Sequence, residues 1–310
     1  MGLGLAPIQN ILELKSLGYF KDMNSVLEMG SQELHLKKDD LKELFEINGL
    51  DKNLVEEFPN SKNWPFSPRC PSKYLYKALG LDEYSSIDLS GEHESIVHDL
   101  NEPFEDKSLF NKFDITTDFG SCEHVFNVAE CYKTMHKLTK PGGYLIIAQA
   151  TVKGNAFFTF DESFYEGIAA ANGYKIIYSS YFIQTGEKTL KGSYHEFHIP
   201  RNSKLLNVLD YAKLRDFEKN TGVGIYGVFQ KVNDDKFHMP QQGGMSNKDV
   251  YNGVVGFNRG YLKEEMGYHY IPSSTMTIED ATLVVILKSL IKCLKKIVKT
   301  VIRKLIMKMK

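Results

Sequence analysis

Strand and helix signals alternate from about residue 7 to residue 232 of this 310-residue chain, and the alternation predicts an α/β fold with a mostly parallel sheet. A second observation agrees: short apolar runs end in a glycine or an acid, as at Ser25-Val26-Leu27-Glu28-Met29-Gly30 and Tyr84-Ser85-Ser86-Ile87-Asp88. The third is composition. Hydrophobic residues make up 42% and charged residues 25%, which suits a packed core and excludes a disordered chain, a collagen or a disulfide-built miniprotein.

The elements follow in order. Ala6 to Leu17 is expected as a helix with Ile8, Ile11, Leu12 and Leu14 mostly on one face, and Ser25 to Gly30 as a buried strand. Residues 33–70 read as an insertion, with a helix from Asp39 to Ile47 and a proline-rich stretch whose Trp64 and Phe66 suit a small core of their own. Ser72 to Leu79 is a short helix stopped by Gly80, and Tyr84 to Asp88, Ser95 to His98 and Phe113 to Asp118 are strands. Val125 to Leu138 is a helix, Pro141-Gly142-Gly143 a turn, Tyr144 to Ala150 a strand and Glu162 to Ala171 a helix. Gly173 to Ile183 and Gly222 to Val232 are the last two strands, with a helix from Ser203 to Lys219 between them. The expected organisation is therefore a body over 1–232, an extended wrapping segment over 233–276, and a final helix over 277–310.

That final helix is basic and amphipathic. Thr277 and Asp280 fit a capping box, and Leu283, Leu287, Leu290, Leu294, Ile297, Val301, Leu305 and Met309 form one apolar stripe. Eight lysines and Arg303 lie between Lys288 and Lys310, so the net charge of -1 divides into an acidic body and a basic tail. The pattern predicts a helix lying on an anionic membrane surface; docking on the acidic body or pairing with a second copy are the alternatives. An acidic body is a poor nucleic-acid binder. No apolar run approaches the roughly 20 residues that span a bilayer, no leader is visible, and four cysteines without metal spacing suit a reducing compartment. The expected location is cytoplasmic, with peripheral attachment to the membrane's cytoplasmic face.

Open parallel sheets bind ligands at the carboxyl ends of their strands, which selects Glu28, Gly30, Asp88, Asp99 and Asp118. An acid ending the second strand can accept hydrogen bonds from both hydroxyls of a ribose, although strand-end aspartates also serve as turn acids. The turn Gly30-Ser31-Gln32-Glu33 lacks the glycines that cradle a pyrophosphate, so a nucleoside ligand suits it better than a dinucleotide.

The ordered set Val26-Leu27-Glu28-Met29-Gly30, Ser86-Ile87-Asp88-Leu89, His98-Asp99-Leu100, Phe113-Asp114-Ile115 and Leu138-Thr139-Lys140-Pro141-Gly142-Gly143-Tyr144-Leu145 resembles the class I, Rossmann-like S-adenosylmethionine-dependent methyltransferases. The resemblance covers roughly residues 20–232 and extends, through Phe119 to Asn127 and Asn172-Gly173-Tyr174, to a less characterised bacterial subgroup. It implies a seven-stranded sheet, six strands parallel and the last reversed, with helices on both faces. It also implies S-adenosylmethionine as cofactor. Glu28 and Gly30 would line its methionine end, Asp88 its ribose, and Asp99 with Leu100 its adenine, while Asp118, Phe119 and Gly120 would face the methionine part and the substrate.

The chain departs from the family pattern in its single loop glycine and in Asn155, which stands where the subgroup often has a histidine. For a proton acceptor the candidates are His124, at the head of a helix beside the presumed site, and Asp118; a capping or solvent-facing role is the alternative for His124. His195 and His198 lack a third ligand of convincing spacing, so no metal is expected. The expected function is methyl transfer to an oxygen or nitrogen of a small molecule or sugar, near a membrane surface. A non-catalytic cofactor-binding protein or a membrane-recruited scaffold on a degenerate methyltransferase fold is the alternative.

Overall fold

The computed structural model describes residues 2–59, 69–152, 156–186, 194–200, 222–240 and 268–270. Its strands are β1 (Gly2–Leu3), β2 (Ser25–Met29), β3 (Glu33–Leu34), β4 (Cys70–Pro71), β5 (Glu83–Ile87), β6 (Phe113–Phe119), β7 (Thr139–Val152), β8 (Lys175–Gly186), β9 (Tyr194–Pro200), β10 (Gly222–Gln230) and β11 (Tyr268–Tyr270). The helices are α1 (Leu5–Ser16), α2 (Lys38–Ile47), α3 (Lys73–Ala78), α4 (Val128–Leu138) and α5 (Glu162–Asn172). The expected helix over 203–219, the basic helix over 277–310, and Trp64, Phe66 and Asn155 lie outside the described residues.

The main sheet runs in the order β11-β9-β8-β10-β7-β6-β2-β5. β5, β2, β6 and β7 are parallel neighbours, β10 pairs antiparallel with both β7 and β8, and β9 reverses again against β8. Eight strands thus replace the seven expected, and three of them, not one, run against the rest. Two corrections account for this. Ser95 to His98 contributes only a bridge, Ile96 with Ile87, because Gly91, His93 and Glu94 all take left-handed backbone angles and swing the chain out of register. At the far edge, β9 and β11 extend the sheet.

Side chains alternate across the sheet into two cores. Val26, Ile115, Tyr144, Ile146, Val228 and Tyr178 pack with α1; Leu27, Met29, Leu145, Ile147, Ile225 and Ile176 pack with α4 and α5. α1 departs from the one-faced helix expected: Gln9 and Asn10 are wholly buried along with Ile8, Ile11 and Leu12. The cause is residues 33–59, which cover its outer side with Leu34, Leu41, Leu44, Phe45, Val55 and Phe58. Buried amides need partners, and Gln9 and Asn48 exchange two hydrogen bonds at 2.9 and 3.2 Å, tying α1 to the end of α2.

The Pro141-Gly142-Gly143 segment lies within β7 as a register shift rather than as a turn before it. A Cβ on Gly143 would stand 2.6 Å from the Asp114 carbonyl oxygen, so the close approach of β6 requires glycine there. At the same end of the sheet the Lys231 ammonium is wholly buried and donates to the His136 and Thr139 carbonyls at 2.8 and 2.9 Å. The segment after it runs back over α4 and α5, where the Asp235 carbonyl meets His136 Nε2 at 2.7 Å and the His238 N–H donates to Asn172 Oδ1 at 2.8 Å.

Candidate active site at the carboxyl ends of the central strands

From β2 the chain proceeds to β5 on one side and later to β6 on the other, so the strand order reverses between β2 and β6. Such a reversal opens a crevice at the carboxyl ends, and Gly30 and Ser121 meet there. Gly30 has φ +80°, and its N–H donates to the Ile87 carbonyl at 2.7 Å. A Cβ on it would lie 2.1 Å from Ser121 Oγ, which in turn accepts from Gln32 Nε2 at 2.9 Å.

Asp88 stands at this edge, just past the end of β5, half-exposed. Its two carboxylate oxygens accept from the Ser31 and Ser90 backbone N–H groups, each at 2.8 Å. Burial pushes its carboxyl up, but those bonds outweigh burial and hold it below its ordinary value, as an anion. Glu28, on β2 two residues before Gly30, is wholly buried and accepts from the Ser72 and Tyr84 hydroxyls at 2.5 and 2.7 Å. Burial outweighs those bonds and pushes Glu28 up to about 7.

Asp118, at the end of β6, is also wholly buried. One oxygen accepts from the Ser121 and Cys122 N–H groups at 2.9 and 3.2 Å, and the other accepts from Gln149 Nε2. Burial raises it to about 6 against those bonds. The turn it holds carries Glu123 and His124. Glu123 is 7% exposed, takes the Ala150 N–H at 2.6 Å, and is pushed up to about 7 chiefly by burial, with the charge of Asp118 adding to it. His124 Nε2 lies 3.7 Å from Glu123 Oε1, with about a third of its side chain exposed, and burial lowers its basicity.

Of the remaining residues singled out from sequence, Gly120 lies at the same edge with φ +80°, whereas the Phe119 side chain is 5% exposed and packs in the α1 core, so only its backbone borders the crevice. Asp99 closes a turn, accepting from the Asn101 N–H at 2.9 Å and side-chain amide at 2.8 Å, and both bonds lower it. The Leu100 carbonyl accepts a weak bond from Cys131 Sγ at 3.7 Å. His195 and His198 fall on β9, which β8 and β10 separate from β7 and the central strands. Sequence reasoning missed Glu123, Gln32 and Gln149. A signal existed for Gln149, the lone polar residue in the apolar centre of β7.

Buried polar atoms here without a hydrogen-bond partner among the described residues include Glu28 Oε1, Ser31 Oγ, Gln32 Oε1 and Gln149 Oε1. Buried polar atoms ordinarily find partners, so an edge lined with orphans suits a polar ligand or ordered water. Beside it two rings stand out into solvent, Phe126 at 75% and Phe157 at 67% exposure, in edge contact at 5.8 Å between centroids.

A doubly wound sheet with its crevice at the reversal of strand order defines the architecture. The fold is Rossmann-like. No family model matches the chain, and no curated protein matches it. Among solved structures it is similar to TehB from Haemophilus influenzae, at 13% identity and a TM-score of 0.38 over 71% of this chain and 61% of that one. It is also similar to the Burkholderia thailandensis 1,6-didemethyltoxoflavin-N1-methyltransferase with bound S-adenosylhomocysteine, at 10% identity and a TM-score of 0.37 over 73% and 79% of the two chains. The Haemonchus contortus phosphoethanolamine N-methyltransferase 2 with S-adenosyl-L-methionine is a third, at 12% identity and a TM-score of 0.34 over 71% and 52%. The strand order, rather than these likenesses, carries the assignment of the fold. Among the described residues no helix is long and apolar enough to cross a membrane.

Proposed function

We propose that this chain is an enzyme that transfers the methyl group of S-adenosylmethionine to an oxygen or nitrogen of a small molecule or sugar. The observation that carries the reading is Asp88, an anionic, half-exposed carboxylate just past the end of β5, beside Gly30 at the switch point. A carboxylate has about four lone-pair sites, so two remain for a ribose diol after Ser31 and Ser90 are served. The orphaned atoms of Ser31, Gln32 and Gln149 fit a polar ligand in the same crevice.

In this reading Asp88 holds the ribose hydroxyls, Asp99 and the Leu100 backbone meet the adenine, and Glu28, Gly30, Gly120 and the Phe119 backbone border the methionine part. The cofactor, when bound, supplies a methyl group already activated by a positive sulfur. The protein's own tasks are alignment, exclusion of water and proton removal. His124 accepts the proton that an acceptor hydroxyl or amine loses. Asp118, walled in by the N–H groups of Ser121 and Cys122 and by Gln149, fixes the turn that presents His124.

Calorimetric titration with S-adenosylmethionine and with S-adenosylhomocysteine tests this. Binding near micromolar is expected for both; none at millimolar ends the reading and leaves a scaffold. A cofactor-binding protein without catalysis is the second reading, favoured by the Ser121 hydroxyl filling the space above Gly30. Attachment to an anionic membrane through the basic stripe of 277–310 is proposed from the sequence pattern alone.

A further inference from the structure

Glu123 has no part in the function as stated so far, yet four contacts converge on it. Its carboxylate takes the Ala150 N–H at 2.6 Å and lies 3.7 Å from His124 Nε2. Its carbonyl accepts from the Phe157 and Phe158 N–H groups at 3.0 and 3.3 Å. One residue therefore joins the end of β7, the imidazole, and the segment that presents the exposed Phe157 ring against Phe126. A carboxylate 7% exposed is expensive to ionise unless a cation forms beside it. The neighbouring imidazole becomes that cation when it takes a proton.

We propose that Glu123 is the positioning residue of this site and acts through His124, its carboxylate steadying the imidazolium while its main chain seats the aromatic wall on the same turn. The inference rests on the methyltransferase reading for its chemistry. In that chemistry the acceptor's O–H or N–H bond breaks and its proton passes to His124. The new bond joins the acceptor atom to the methyl carbon; the carbon–sulfur bond breaks and its electron pair stays on sulfur. The positive charge thus arrives on the ring beside Glu123, and the proton leaves through the exposed part of the ring. The groups facing Glu123 are Asp118 from β6, Tyr165 from α5 and His124 on its own turn.

The test is a titration of the full-length protein by nuclear magnetic resonance, followed on the His124 ring from about pH 5 to about pH 8.5. The signal is assigned with His124→Gln. In the wild type the His124 signal should move twice, once with its own protonation and again near 7 as Glu123 ionises. Glu123→Gln retains an acceptor for the Ala150 N–H and should abolish the second step. Binding of S-adenosylmethionine should then change by less than about two-fold, because Glu123 does not hold the cofactor. A single step in the wild type overturns the proposal, as does a second step that survives Glu123→Gln or disappears only in Asp118→Asn. The wild-type Glu123 carboxyl carbon must show the same midpoint near 7; a midpoint in the ordinary glutamate range overturns the proposal even if the variant fails to fold. A wild type that binds no S-adenosylmethionine defeats the methyltransferase reading alone and leaves the measured coupling of Glu123 to His124 standing.

Discussion

The Ser121 hydroxyl occupies the space that a side chain on Gly30 would need: the missing Cβ would stand 2.1 Å from Ser121 Oγ and 2.9 Å from its Cβ. Two turns, one after β2 and one after β6, are thereby closed on each other across the reversal of strand order. Gly30→Ala should lose about 2–4 kcal/mol of stability, from left-handed backbone strain at φ +80° together with the forced shift of Ser121. Urea unfolding of Gly30→Ala, Ser121→Gly and the double variant measures it. Ser121→Gly should recover the steric part and leave the backbone part, so simple additivity of the two changes would contradict the contact.

Asp88→Ala should weaken S-adenosylmethionine binding by about 10- to 150-fold, the loss expected when charged hydrogen bonds of about 1.5–3 kcal/mol are removed. The Ser90 N–H it serves is exposed and can turn to water, while the Ser31 N–H is part-buried, so the variant should lose some stability and keep the fold. Calorimetry on the variant decides. An unchanged dissociation constant in a folded variant removes Asp88 from the site.

The strands that carry this site were legible because their chemistry is local. Short apolar runs ending in Gly30, Asp88 and Asp118 mark β2, β5 and β6 within a residue or two. The alternation in Tyr194 to His198 has the period of a strand, and β9 is there, between β8 and β11. What was not legible depends on partners distant in sequence. The amphipathic pattern of α1 promised one buried face, but Leu44, Phe45 and Val55 cover the other. The third strand had the residues for a strand and lost its register to three left-handed residues before it. Glu123 sits between a partly buried histidine and a buried cysteine, and nothing in that tripeptide announces that Ala150 from β7 closes over its carboxylate.

Glu28 gives the fold a pH dependence of known sign. Its folded-state value is raised to about 7 from an ordinary 4.5, so between those values the folded protein holds a proton that the unfolded chain has released. Stability from this group is therefore full at the acid end of the window and lost as pH rises through about 7, by on the order of 3 kcal/mol. Asp118 and Glu123, raised for the same reason, slope the same way. Glu28→Gln cannot ionise. Urea unfolding near pH 5 and near pH 8 should show a smaller fall in stability for the variant than for the wild type. Equal falls would show that the folded protein holds no extra proton on Glu28 across that range, so that burial does not raise it.

For the tail, each basic residue close to an anionic leaflet contributes roughly 1 kcal/mol, an attraction that salt screens. The nine cations between Lys288 and Lys310 should carry the full-length protein into the pellet with anionic vesicles at low salt, and less so at high salt. A protein ending at residue 276 should remain in the supernatant. If both stay in the supernatant, the stripe belongs to the body or to a second copy of the chain.

Lys231 offers a test at the opposite end of the sheet, away from the proposed site. Its ammonium is wholly buried and donates to the His136 and Thr139 carbonyls, to Asn111 Oδ1 at 2.9 Å and to Asp234 Oδ1 at 3.1 Å. It caps the carboxyl end of α4, where unsatisfied carbonyls and the negative end of the helix dipole favour a cation. Burial lowers its basicity despite Asp234, so the charge is held at a cost that only these four acceptors offset. Lys231→Met keeps the length and apolar stem but leaves the acceptors without a donor. The loss should be about 1–3 kcal/mol, the cost of leaving buried acceptors unsatisfied, since the charged partner Asp234 is 57% exposed and turns to water. S-adenosylmethionine affinity in the fraction that remains folded should not change, because the substitution lies at the amino ends of the parallel strands. Denaturant unfolding together with calorimetry separates the two effects. A variant as stable as the wild type would mean that water replaces the ammonium at the end of α4.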